Sequence, residues 1–249
     1  MRKIFTLSEL LKRAESVRKY RDALQRQLTA NAEALQQAAF AQVLDWLDRH
    51  PDATLPELSQ RLSERVVLPR AQAEQLRVNL EAAQQRILTL RARLYDEAGV
   101  SLLGSTRVER LSALYRVDFP KIEQQTNKLI QLVLRQAQVS DLPASRTVYA
   151  ALRQSGKVRH QAATLANTAL AQFDNAYTVE LARSGAVDVM EYAGPPPQRL
   201  FCGQHLGKQY TIPEIELLNN GQGLPVLTSC GGYNCRHSWI AVPPFLLAR

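Results

Sequence analysis

The sequence predicts a mainly α protein: an elongated helical body with long amphipathic helices, followed by a small C-terminal α+β module. Three observations carry this. Gly (11) and Pro (12) are sparse for 249 residues and aromatic residues make up only 6%, while Ala, Leu and Gln crowd the first two-thirds, a helix-forming composition. Apolar residues in that part recur at alternating steps of four and three. Past Ser184 and Gly185 the pattern turns to strand-like alternation and Gly, Cys, His and aromatic residues gather. With 45% hydrophobic residues the chain can bury a core in one large or two modest domains, which excludes a wholly disordered or fibrous protein.

The elements follow in order. Thr6-Leu7-Ser8-Glu9 matches a capping box, so a helix starts there. Leu10, Ala14, Val17, Arg21, Leu24, Leu28, Asn31, Leu35, Ala38 and Gln42 then form a heptad-like seam interrupted by polar residues, and Pro51 stops it after about forty residues. Thr54-Leu55-Pro56-Glu57 opens a short second helix that Pro69 ends. Leu76, Leu80, Ala83, Ile87, Leu90 and Leu94 place a stripe on a third, capped by Gly99. The first and third read as an antiparallel hairpin, with the stripes as interhelix contact. They offer more apolar surface than a lone hairpin hides, so further helices or a second copy of the chain are expected on them.

Helical windows resume at 108–117 and 121–136, broken by Asp118-Phe119-Pro120, and Ser140-Asp141-Leu142-Pro143 ends that stretch. Another helical region covers roughly 145–183, interrupted near Gly156, and closes at Ser184-Gly185. Residues 186–192 alternate as a strand does, and Gly194-Pro195-Pro196-Pro197 forms a rigid turn. The expected division is a helical body over 1–140, a helical connector over 141–185 and a β-rich Cys/His module over 186–249.

Charge narrows the classes of partner. The net charge of +8 is uneven: residues 1–30 hold eight Lys/Arg against three Asp/Glu, whereas residues 51–100 hold seven of each. Lys12, Arg13, Arg18, Lys19 and Arg21 lie on the first helix, which can track phosphates without reading bases. Glu9, Glu15 and Asp22 are interleaved, so a solvated face is the competing reading. No apolar run approaches the ~18 residues of a membrane span, and the N-terminus leads into Ser8, Glu9 and Lys12 rather than a signal-peptide core. Synthesis in a cytoplasm is the expectation. The three cysteines are too few for a disulfide framework and read as thiols or metal ligands.

All three cysteines and two of the four histidines fall between 202 and 237, as Cys202-Gly-Gln-His205 and Cys230-Gly-Gly-Tyr-Asn-Cys235-Arg-His237. Zinc takes four such ligands tetrahedrally, and C-x2-H spacing lets a tight turn place two on one ion. C-x4-C-x-H offers three candidates where two are needed. The preferred set is therefore Cys202, His205, Cys235 and either Cys230 or His237, holding a structural zinc; small buried polar fillers in a glycine-rich module are the alternative. His50 and His160 read as ordinary. A Cys–His dyad could act as a nucleophile, and a treble-clef-like metal-dependent nuclease could use His237 as general base. The acids of this region are only Glu214 and Glu216, and the chain has no phosphate loop, G-x-S-x-G or H-E-x-x-H.

The run from Ala163-Thr164-Leu165-Ala166-Asn167-Thr168-Ala169 through Gly185, Tyr192-Ala193-Gly194, Arg199-Leu200-Phe201-Cys202, His205, Gly207, Tyr210, Asn220-Gly221-Gln222-Gly223 and Gly231-Gly232-Tyr233-Asn234-Cys235-Arg236-His237 resembles the C-terminal domain of phage minor head proteins of the Mu-type head morphogenesis family. The resemblance covers about residues 145–243, and its most specific part is the Gly-Gly-Tyr-Asn-Cys-Arg-His string. Asn167 stands where the family often has Arg, and Pro195-Pro196-Pro197-Gln198 replaces the usual Asp-containing turn. The resemblance implies a non-enzymatic virion component, made in the host cytoplasm and associated with the portal or major capsid protein, with a helical body for assembly and non-specific proximity to DNA.

Overall fold

The computed structural model describes residues 6–50, 57, 60, 69–100, 102–116, 118–122, 124, 126, 128, 160–185 and 187–247. The protein is mostly helical with a small C-terminal sheet. Helix α1 (Leu7–Arg49) runs 43 residues and starts as its capping box dictates: the Thr6 N–H donates to Glu9 Oε2 at 2.9 Å and the Glu9 N–H to Thr6 Oγ1 at 3.2 Å. Helix α2 (Arg70–Glu97) ends at Gly99, whose φ of +76° lets the Val100 N–H reach back to Tyr95 O. Helices α3 (Ser105–Leu114) and α4 (His160–Ser184) follow. All but Glu57 and Gln60 of the second helix expected between Thr54 and Pro69, most of 121–136 and the break near Gly156 lie outside the described residues.

The chain divides into two compact units, one of Met1–Arg26, Leu80–Arg116 and Asn167–Arg249, the other of Gln27–Asn79 and Val117–Ala166. In the second unit Leu28, Ala32, Leu35, Ala39, Val43 and Leu47 of α1 are buried, as is Leu76 of α2. Of the expected seam, Leu10, Ala14, Val17, Arg21, Leu28 and Leu35 are buried and Leu24 and Asn31 half-buried, and beyond Leu35 it drifts: Ala38 is half-buried and Gln42 exposed. A straight helix of 3.6 residues per turn rotates away from a strict seven-residue repeat, and the buried stripe follows the helix.

The first unit holds the sheet. Strands β1 (Val189–Ala193), β2 (Gln209–Thr211) and β3 (Ser238–Val242) pair antiparallel in the order β2-β1-β3. Met190 opposes Ala241 and Tyr192 opposes Trp239, so these four side chains share one face. They pack with Tyr95, Leu111, Phe173 and Tyr177 of α2, α3 and α4. The other face, through Ile240 and Val242, meets Leu10, Ala14 and Val17 of α1 and Leu94 and Ala98 at the end of α2. Burial on both faces explains why β3 is buried at all five positions rather than alternating. Arg13 pairs with Glu97 and Arg86 lies over the Tyr20 ring, so these stretches of α1 and α2 run antiparallel. The 185/186 boundary expected from the sequence is accordingly not a division of the structure. Both faces of the sheet need helices from earlier in the chain.

Between the strands lie short helices α5 (Leu200–His205), α6 (Ile212–Glu216) and α7 (Val226–Ser229), and α8 (Pro244–Leu247) follows β3. A second capping box, Thr211 with Glu214, starts α6.

Candidate metal centre

Cys202 projects from α5, while Cys235 and His237 flank Arg236 in the segment that enters β3. The fold brings these three side chains together, buried, with their ligand atoms all within 4.8 Å of one another. Cys202 Sγ lies 3.9 Å from Cys235 Sγ, and Cys235 Sγ lies 3.6 Å from His237 Nδ1. Two sulfurs and an imidazole converging at this distance could hold a metal ion.

The surroundings orient the donors. His237 Nε2 is 3.0 Å from the Pro195 carbonyl, which only accepts, so the proton sits on Nε2 and Nδ1 is left facing the sulfurs. That is the arrangement by which a ligating histidine is usually held. The ring also stacks on Tyr192, with centroids 5.2 Å apart and an 8° interplanar angle. The Tyr192 hydroxyl lies 3.4 Å from Cys202 Sγ and 3.7 Å from Cys235 Sγ, closing the inner side of the cluster. The Gly231 N–H donates to Cys235 Sγ at 3.2 Å. Two glycines make room: a Cβ on Gly194 would come within 2.3 Å of the His237 ring, and one on Gly231 within 2.5 Å of Cys202 Sγ.

The loop between Asn220 and Asn234 is folded by its own amides. Asn220 Nδ2 donates to the carbonyls of Leu224 and Cys230, each at 3.0 Å, and Gln222 Oε1 accepts the Tyr233 N–H at 2.8 Å. Gly232, with φ at +99°, leaves the space that the Gln222 side chain fills. Arg199 clamps the same loop by donating to Gly231 O and Tyr233 O at 2.7 and 2.6 Å.

The helices grip the ligand segment from below. Asp174 of α4, fully buried, accepts from Arg91 at 2.7 and 2.9 Å and from Arg21 at 2.9 Å. Arg21 Nη2 continues to the Arg236 carbonyl at 2.7 Å, between two of the clustered residues. The Arg236 guanidinium pairs with Asp22, also bound by Arg18. Burial alone would push the Asp174 carboxyl up, but Arg91 and then Arg21 outweigh it and hold it below the ordinary value. In the thiol pair the proton stays with Cys202, because its S–H donates to Cys235. Cys235 is thereby held well below the ordinary thiol value, against burial and with help from the His237 backbone N–H, while the same hydrogen bond and burial raise Cys202.

Of the five metal candidates, His205 and Cys230 stand outside the cluster. His205 Nδ1 is 2.7 Å from the Tyr210 hydroxyl and its ring lies against Phe201, 4.3 Å between centroids. Cys230, fully buried, accepts from Asn175 Nδ2 at 3.4 Å. Of the five basic residues assigned to phosphate, Arg21 and Arg18 are buried and ion-paired within the protein, so neither can reach a phosphate without breaking its pair. Arg13 pairs with Glu97 and Lys19 with Glu15, while Lys12 is exposed. No protein-family model, curated protein or solved structure matches this chain. No described helix is long and apolar enough to cross a membrane.

Proposed function

We propose that this protein is a non-enzymatic assembly component of a tailed-phage virion, with a C-terminal part built around a zinc ion. The observation that carries the reading is the convergence of Cys202, Cys235 and His237. Two of them belong to the Gly-Gly-Tyr-Asn-Cys-Arg-His string on which the resemblance to phage minor head proteins rests. The Asn220–Gly223 part of that resemblance has a physical role beside it, since Asn220 and Gln222 hold the loop carrying Cys235. Thiolate and imidazole donors favour zinc among common divalent ions. Bound there, zinc would tie α5 to the start of β3 and stabilise the fold.

The partners proposed are the portal or major capsid protein and further copies of this chain. Any contact with DNA would fall on exposed Lys12 and Lys19 rather than on Arg18 or Arg21. The nuclease alternative requires His237 to take a proton from water. Its Nε2 is committed to Pro195 and its Nδ1 faces Cys235, which favours the structural role. The test has two arms. Tagged protein isolated from assembling particles should bring portal or capsid protein with it and carry one zinc per chain, lost in Cys235→Ser; plasmid cleavage with magnesium or manganese, abolished in His237→Ala, would favour the nuclease instead.

A further inference from the structure

We propose that the metal centre keeps its fourth coordination position open to a small carboxylate anion, an inference that rests on metal binding at Cys202, Cys235 and His237. Three protein donors converge, and among the described residues no further His, Cys, Asp or Glu joins them. The two other candidates are turned elsewhere, His205 to Tyr210 and Cys230 to Asn175. Tyr192 closes the inner side against both sulfurs. On the other side all three donors line one cavity of about 80 Å³, shared with Gln198, Arg199 and Arg236. A water needs roughly 10–15 Å³ of such space, so the cavity has room for a ligand the size of acetate.

The lining selects the charge of that ligand. Arg199 and Arg236 both border the cavity and, among the described residues, no carboxylate does. Arg236, about half exposed at 56%, uses one nitrogen on Asp22 and keeps other N–H groups. Guanidinium forks match carboxylates in shape as well as charge, and carboxylate oxygen is an accepted zinc ligand. A closed structural site has four protein ligands, whereas three protein ligands and an accessible cavity describe an open one.

The experiment uses the full chain loaded with cobalt(II), whose sulfur-to-metal charge-transfer bands report the thiolates and whose visible bands report the remaining position. Acetate should shift the visible bands saturably, while neutral acetamide of the same size should not. Arg236→Gln removes a cation from the cavity, and Gln198→Glu adds an anion to it at an exposed position outside the ion-pair network. Each should raise the acetate concentration for half-saturation by about threefold or more, the scale of one partly exposed charge interaction. Charge-transfer bands with no response to acetate would overturn the open position and leave the metal site standing. Absence of the charge-transfer bands would overturn the metal site itself. An equal response to acetate and acetamide would overturn the assignment to an anion.

Discussion

A single methyl group at Gly194 would press within 2.3 Å of the His237 ring, and that ring cannot simply move aside. It is stacked on Tyr192 and tied to the Pro195 carbonyl. Gly194→Ala is therefore expected to cost about 1–3 kcal/mol of stability through overpacking. It should also weaken metal binding by about 10- to 100-fold, the scale seen when the groups orienting a ligand are disturbed. Urea unfolding and chelator competition check both, and an unchanged metal affinity would mean that the ring's position does not matter. Asp174 supports a second prediction. Its folded pKa lies below the unfolded value of about 3.9, so its contribution is complete above that value and lost as pH falls through the folded one. Asp174→Asn, leaving two buried guanidiniums short of their anion, should cost about 3–5 kcal/mol at neutral pH and flatten the acid limb of stability against pH. An unaltered acid limb would assign the acid sensitivity to other carboxylates. The ligand cluster was partly legible in the sequence, since Cys202 and Cys235 stood in the preferred set and His237 among its alternatives. The C-x2-H spacing selected His205 because it assumed a tight turn, but Cys202 and His205 lie on a helix and the His205 ring is drawn to Phe201 and Tyr210. Arg21 carried a readable signal. A charged residue inside an apolar seam points to a buried partner, yet that partner, Asp174, is 153 positions away and no local pattern could name it.

The helices were legible because their signals are local. Capping at Thr6, the glycine stop at Gly99 and the close at Ser184 each depend on residues within a turn of the boundary. Strand β1 was legible from the polar Asp188 and Glu191 set among apolar residues, although in the fold Met190, Glu191 and Tyr192 are all buried. Strand β3, buried throughout, gave no period to read, because its two faces are covered by different helices. The long seam of α1 failed in a more instructive way. A seven-residue template placed Gln42 on the buried side, while the helix places Val43 there, 2% exposed, and leaves Gln42 in solvent. The two registers make opposite predictions. Val43→Asp buries an unpaired carboxylate and should cost several kcal/mol, whereas Gln42→Asp should change stability by less than about 0.5 kcal/mol. Equilibrium unfolding by circular dichroism distinguishes them, and the reverse ranking would restore the strict heptad.

At the scale of the whole molecule, the sequence suggested a C-terminal module that could be lifted from its helical body, and the packing argues otherwise. Trp239 and Ala241 are covered by a core that includes Tyr95, Phe173 and Tyr177, and Ile240 and Val242 by one that includes Leu10, Ala14 and Leu94. Tyr95 also accepts the Ala241 N–H on its hydroxyl, and Arg21 holds the Arg236 carbonyl. A peptide of residues 186–249 would expose both faces of a three-stranded sheet, with a metal to staple one end and no core on either side. Zinc is therefore expected to give that peptide sulfur-to-metal coordination without a cooperative thermal transition. In the full chain loaded with zinc, chelation should lower the melting temperature of the whole unit of Met1–Arg26, Leu80–Arg116 and Asn167–Arg249 rather than melt the sheet alone, because ligand loss destabilises whatever unfolds together with the site. Calorimetry of the full chain with and without chelator, beside amide proton dispersion of the zinc-loaded peptide, measures both. A dispersed spectrum and a sharp transition from the peptide would show that the sheet and its metal loop fold without the helices, and the buried Arg21–Asp174–Arg91 network would then have to be explained by something other than holding that loop in place.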